Sequence, residues 1–138
     1  MMNEPISSIM TRQVVTVLPS DNLETVKDIF SRKRIHHVPV VEKSGKLVGI
    51  LTTSDLFWLN KSFDDYEKIR VRDVMTHRIA KLELDDKVGT AAEIFLENRF
   101  HALPIVDEND HLLGIVTTFD VLKYEFEKEY PKERTFTQ

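Results

Sequence analysis

GILTTSDL stands at residues 49–56 and GIVTTFDV at residues 114–121. The two octets are 65 residues apart, and the same shift aligns the rest of the chain with itself. SSIMTRQVVTV (7–17) lies over RDVMTHRIAKL (72–82), and IFSRKRIHHVPVV (29–41) over IFLENRFHALPIV (94–106). KLVGILTTSDL (46–56) lies over HLLGIVTTFDV (111–121), and residues 6–59 match 71–124 without a gap. Mismatches are mostly apolar for apolar. A repeat of this length is a structural unit that cannot bury its hydrophobic face alone.

Each copy reads in the same order. A short helix opens it, at Pro5–Met10 and again at Val71–Met75. Short strands follow at Val14–Val17 and Ile79–Leu82. Asp21 with Glu24 forms a capping box ahead of the helical stripe Leu23, Val26, Ile29 and Phe30. In the second copy Asp85 or Asp86 caps Val88, Ala91, Ile94 and Phe95. Strands at His37–Val41 and Leu47–Thr52 recur at Ala102–Val106 and Leu112–Thr117, joined by the turns EKSG and DEND. A last helix starts at Ser54 and at Phe119. The polar segment Lys61–Lys68 links the copies, and EFEKEYPKERTFTQ is a charged end expected to project or fray.

Composition narrows the function classes. The 138 residues are 41% hydrophobic and 30% charged, as in a globular domain. Cysteine is absent, which excludes disulfides and thiolate chemistry. No apolar run approaches the ~20 residues of a membrane span, and the first residues lack the layout of a secretion signal. A net charge of −4 argues against nucleic acid as a partner. The expected compartment is the cytoplasm.

A duplicated β-α-β-β-α unit that opens on IMT or VMT and closes on G-h-h-T-x-x-D-h (h apolar) resembles the CBS domain, named after cystathionine β-synthase. The resemblance covers about residues 5–124. It implies an α+β fold of two pseudo-symmetric repeats packed as one disc-like module, residues 1–65 with the N-terminal helix and 66–138 with the charged tail. It also implies a regulatory protein, not an enzyme, that binds an adenosine-containing ligand between its repeats: AMP, ADP, ATP or S-adenosylmethionine. No cofactor is required. Such pairs commonly form homodimers, and the signal passes to an effector protein whose identity is unknown or to a change of assembly.

The octet's chemistry supports two readings. A strand running into a helix N-terminus presents N–H groups to an anion. Thr52 and Thr117 can donate to a phosphate, while Asp55 and Asp120 accept only and suit a ribose diol. Thr-x-x-Asp is equally a variant capping box. Gly49 and Gly114, inside strands, signal a close approach of something to the backbone.

Crossing the repeats gives two candidate clefts. The first joins Leu18, Leu23, Ile35, His36 and His37 to Thr117 and Asp120. The second joins Glu83, Val88, Phe100, His101 and Ala102 to Thr52 and Asp55. Glu83, where the first has Leu18, would repel phosphate, so the first is preferred, although Phe119 replaces Ser54 there. Neither cleft displays the positive charge a polyphosphate needs, which favours AMP or ADP over ATP.

Other tempting residues have simpler readings. His36 and His37 point to opposite faces of a strand, so they do not share a metal ion. DENDH lacks the glycine and distant glutamate of a calcium loop. Arg34 and Arg99 read as partners of helix dipoles. Leu56, Phe57 and Leu59, echoed by Val121, Leu122 and Tyr124, read as a core stripe that can also supply a two-fold dimer face, with Trp58 at its edge. No nucleophile elbow, P-loop, dinucleotide fingerprint or zinc-protease motif is present. The rival to a ligand sensor is a ligand-free dimeric interaction scaffold whose octets merely cap helices. A small nucleotide-processing enzyme is a more remote third.

Overall fold

The computed structural model describes residues 2–98 and 100–131. Its regular elements are α1 (Leu23–Lys33), β1 (His37–Val41), β2 (Leu47–Thr52), α2 (Thr53–Leu59), β3 (Leu82–Glu83), α3 (Val88–Asn98), β4 (Ala102–Val106), β5 (Leu112–Thr117) and α4 (Thr118–Glu129). Short 3-10 turns occupy Ile6–Ser8, Phe63–Lys68 and Val71–Asp73. The fold is α+β in two pseudo-symmetric repeats, as the sequence implied.

The two hairpins are copies down to their irregularities. β1 pairs antiparallel with β2, His37 opposite Thr52, and β4 with β5, Ala102 opposite Thr117. Each register shifts at the same place, between Val40 and Val41 and between Ile105 and Val106. The first strand of each repeat is shorter than expected. Val14–Val17 reduces to one parallel bridge, Val17 with Val40, and Ile79–Leu82 becomes β3, which starts at Leu82 and runs parallel to β4.

α1 is capped by Asn22, not by an Asp21–Glu24 box: the Asn22 side chain accepts from the Thr25 N–H at 3.0 Å. The helix starts one residue later than the box requires, so the Asp21 carboxylate reaches back to the Leu18 N–H at 2.8 Å. Asp86 does the same for the Glu83 N–H at 2.7 Å. The segment 61–68 is more than a linker, because its Tyr66 is buried in the first core. EFEKE continues α4 rather than fraying, and Lys128 Nζ pairs with Glu4 Oε1 at 3.3 Å. Arg99 and the last seven residues of the tail lie outside the described residues.

The repeats exchange their opening segments. Ile6 and Met10, from the start of the chain, are buried with Leu82, Val88, Ala91, Phe95, Leu103, Ile105, Val116 and Val121. Val71, which opens the second copy, is buried with Val17, Leu23, Val26, Val38, Val40 and Leu51. Backbone pairs fix the exchange. Thr11 and Ile115 share two hydrogen bonds of 2.8 and 2.9 Å, and Thr76 and Ile50 share two of 2.9 and 3.1 Å. The hairpin tips also meet: the Leu47 N–H donates to the Asp110 carbonyl and the Leu112 N–H to the Gly45 carbonyl. Every one of these contacts has a counterpart 65 residues on, so the module has an internal two-fold.

The exchange explains the strand glycines. A Cβ on Gly49 would lie 2.5 Å from the Sδ of Met75, and one on Gly114 would lie 2.8 Å from both the Sδ of Met10 and the carbonyl oxygen of Thr11. What approaches the backbone is the Met-Thr motif of the other repeat. The two signatures, Met-Thr and G-h-h-T, are two sides of one contact.

Candidate functional site

The hairpins and the helices that follow them enclose a cleft of about 960 Å³ between the repeats. Its wall carries equivalent residues from both copies: Ile35 and Phe100, His36 and His101, His37 and Ala102, Thr52 and Thr117, Thr53 and Thr118, Ser54 and Phe119. The cleft is nevertheless lopsided. Ile50, Asp55, Thr76, Arg78, Ile79 and Ala80 line it without their counterparts, as Pro104 does without Pro39, and Arg34 lines it too.

Both octets close as capping boxes. The Thr52 hydroxyl oxygen accepts from the Asp55 N–H at 3.2 Å, and the Asp55 Oδ2 accepts from the Thr52 N–H at 2.8 Å. Thr117 and Asp120 repeat the pair at 3.2 and 2.9 Å, and there the Thr117 hydroxyl also donates to the Asp120 Oδ2 at 3.1 Å. A cap of this kind is worth about 1 kcal/mol. It uses one oxygen of a carboxylate that has two, so capping and a ligand contact are compatible at Asp55, which lines the cleft. Burial raises the pKa of Asp120 above the usual carboxylate value, against the lowering by its Thr117 hydrogen bonds.

The helix starts are held against the strands by matching bonds. The Thr53 N–H donates to the His36 carbonyl at 3.0 Å and the Thr118 N–H to the His101 carbonyl at 3.1 Å. β1 begins at His37, so His36 precedes the strand and, against the expectation of opposite faces, both residues line the same cleft; His36 and His101 are exposed there, while His37 lies deeper. Burial, and then the neighbouring His36 and His101, push the His37 imidazole from 6.5 down to about 4.

The expected site residues therefore divide. Ile35, His36, His37 and Thr117, assigned to the first cleft, and Thr52, Asp55, Phe100, His101 and Ala102, assigned to the second, share one continuous wall. Leu18, Leu23, Glu83, Val88 and Asp120 are not part of it. Leu23 and Val88 are fully buried, one in each core, because their helices turn that face inward. Glu83 is exposed on β3. The preference for the Asp120 side finds no counterpart in the lining, which extends instead toward Asp55. Thr76 and Arg78 were missed, although they follow directly on the second Met-Thr motif. Arg34 follows α1 as its C-cap in a left-handed conformation, φ 55°, and lines the cleft.

The closing helices divide the expected core stripe. Leu56 and Leu59 pack on the first core and Val121 and Tyr124 on the second. Phe57, Trp58 and Leu122 face outward at 73%, 79% and 68% exposure. Phe57 and Trp58 meet edge to face, 5.2 Å between ring centres. Among the described residues no helix is long and apolar enough to cross a membrane.

The fold, the paired closing motifs and the cleft between the copies define a duplicated CBS module. The CBS domain profile matches residues 6–59 and again 71–127, and the chain belongs to this family. It is 34% identical over 133 residues to an uncharacterized protein of Methanocaldococcus jannaschii, MJ1225, covering 88% of this chain and 47% of that one. The crystal structure of MJ1225 superposes with a TM-score of 0.84 at 33% identity, over 90% of this chain and 48% of the other. An inosine-5'-monophosphate dehydrogenase of the same organism is 35% identical over 124 residues, 90% of this chain but 23% of the enzyme. The chain thus spans half or less of these curated relatives. A structure of CBSX2 in complex with AMP matches at 25% identity with a TM-score of 0.82, over 91% of this chain and 98% of that one.

Proposed function

We propose that the protein is a regulatory sensor of an adenosine-containing ligand, bound in the cleft between its repeats. One observation carries the reading: a single wall is built from both copies, so a ligand there touches the Thr52 and Thr117 helix starts together. A ligand that prefers one arrangement of the repeats shifts the population toward it, which is the physical basis of a signal. Support for the ligand class comes from the family and from the similar CBSX2, which is described in complex with AMP. AMP or ADP comes ahead of ATP or S-adenosylmethionine, and the helix start at Asp55, which lines the cleft where Asp120 does not, is the better seat. The role is regulatory: the lining offers a capping pair where a hydrolase or transferase needs an activated nucleophile.

The outward face of α2 and α4 is where a second copy would pack, giving a homodimer. Phe57 and Leu122 are equivalent in the repeats, so the face is itself two-fold, which suits an isologous contact. The boundary between the repeats falls near residue 65. The signal passes to an effector protein or to a change of assembly in the cytoplasm. A thermal-shift panel with AMP, ADP, ATP with and without magnesium and S-adenosylmethionine tests this reading. A concentration-dependent rise in Tm supports it. Folded protein that no ligand shifts at millimolar concentration leaves the interaction scaffold as the function.

A further inference from the structure

The cleft does not obey the internal two-fold that builds it. Ile50, Asp55, Ala80 and Pro104 line it, but their counterparts Ile115, Asp120, Val15 and Pro39 do not. Pro39 is fully buried, Ile115 is 8% exposed, and Val15 packs on the first core. The backbone is not the source of this difference. Both hairpins share one register, and both opening segments make the same pair of bonds, Thr76 with Ile50 and Thr11 with Ile115. Side chains must make it.

Three positions do so. Residues 76–80 follow the pairing of Thr76 with β2 and so accompany Asp55; their image, residues 11–15, follows the pairing of Thr11 with β5 and accompanies Asp120. Where the Asp55 side has Ala80, Ala102 and Ser54, the Asp120 side has Val15, His37 and Phe119. Every exchange adds bulk, and all three add it on the same side. The Phe119 ring is 54% exposed and lines the cleft, so the space it takes is cleft and not core. His37 lies deeper, and its Nε2 is buried with no hydrogen-bond partner, as suits a ring that fills space rather than one that serves a polar contact. The lining ends at Phe119, one residue short of Asp120. The Asp120 carboxylate is turned in on its own helix cap: its Oδ2 accepts from both the N–H and the hydroxyl of Thr117, and burial raises its pKa.

We propose that Val15, His37 and Phe119 close the Asp120 half of the duplicated cleft, so that each chain holds one adenosyl ligand, at the Asp55 half. This rests on the adenosyl-ligand reading above and adds to it the number of ligands and the residues that set it. The duplicated backbone provides for two sites, and three larger side chains leave one. A single site answers ligand concentration without cooperativity inside the module, since coupling needs two sites.

Equilibrium dialysis with radiolabelled AMP counts the ligands held by each folded chain. Wild-type protein is expected to saturate at one. The variant Val15→Ala/His37→Ala/Phe119→Ser gives the Asp120 side the residues of the Asp55 side, and is expected to saturate at two. Asp120→Asn added to that variant is expected to weaken the second ligand by about tenfold or more, because the carboxylate then faces an open cleft. Phe119→Ser alone changes an exposed position and carries the test if circular dichroism shows the triple variant unfolded; a second AMP, weaker than the first, is expected there. Two ligands on wild type, or one on the folded opened variant, overturns the proposal and leaves the adenosyl reading standing. Absence of saturable binding to folded wild-type protein overturns both.

Discussion

Gly114→Ala and Gly49→Ala look alike in sequence but differ in what the new methyl meets. At an open strand position the change from glycine to alanine gains stability, about 0.4–1 kcal/mol, by restricting the unfolded chain. Here the sign reverses. The Cβ at position 114 falls 2.8 Å from the Thr11 carbonyl oxygen, and that carbonyl is held by the Ile115 N–H at 2.9 Å. Neither atom can move without parting the pair that joins the repeats. The three atoms nearest the Cβ at position 49 all belong to the Met75 side chain, Sδ at 2.5 Å, Cγ at 2.9 Å and Cβ at 3.2 Å, and an unbranched thioether can swing aside. Overpacking costs typically 1–3 kcal/mol. Gly114→Ala belongs at the upper end, roughly 2–3 kcal/mol, and Gly49→Ala nearer 1 kcal/mol. Urea denaturation of the two variants, and of each combined with Met10→Ala or Met75→Ala, measures both costs. Trimming Met75 should relieve Gly49→Ala, with a coupling above about 0.5 kcal/mol. Trimming Met10 should leave most of the Gly114→Ala cost in place. Full rescue of Gly114→Ala by Met10→Ala, or a Gly114→Ala variant as stable as wild type, refutes the exchange as the source of these glycines.

Further expectations follow from particular groups. His37 is held at about 4, below its ordinary 6.5, so the unfolded chain binds its proton first. Stability therefore falls as pH drops from 6.5 toward 4, by at most about 3 kcal/mol at 1.4 kcal/mol per unit. His37→Ala should flatten that limb of a pH series of denaturant midpoints, and an unchanged limb would show that another group causes it. Trp58→Glu, on the outward face of α2, should halve the mass seen by light scattering if that face joins two copies, while leaving Tm nearly unchanged. Residues 1–65 expressed alone should lack cooperative unfolding, because Tyr66 and Val71, which complete the first core, lie beyond them.

Most of the fold was legible because duplication doubles every signal. The four long strands match their expected limits, since each is a β-rich run closed by a turn and its copy agrees with it. The cap of α1 was misplaced because Asp21, Asn22 and Glu24 all have side-chain acceptors, and only the backbone decides which residue lies just outside the helix. The exchange of opening segments could not be read from spacing. Ile6 and Val71 look alike, and nothing local says that each belongs to the other's core. The cleft lining was legible where it sits on the repeat itself, at Thr52, Asp55, His36 and His101. It was obscure at Thr76 and Arg78, which reach the cleft only because that exchange brings them beside β2. Leu23 and Val88 do not line the cleft because their place on the buried stripe puts them in the two cores.

The most direct test of the sensor reading is calorimetric titration of AMP into wild-type protein, Asp55→Asn and Asp120→Asn. The amides keep an acceptor oxygen for each helix cap, so stability is largely preserved while the carboxylate is lost. The account predicts saturable binding to wild type, weakened about tenfold or more by Asp55→Asn and less than threefold by Asp120→Asn. Absence of binding at millimolar AMP, or loss confined to Asp120→Asn, contradicts it.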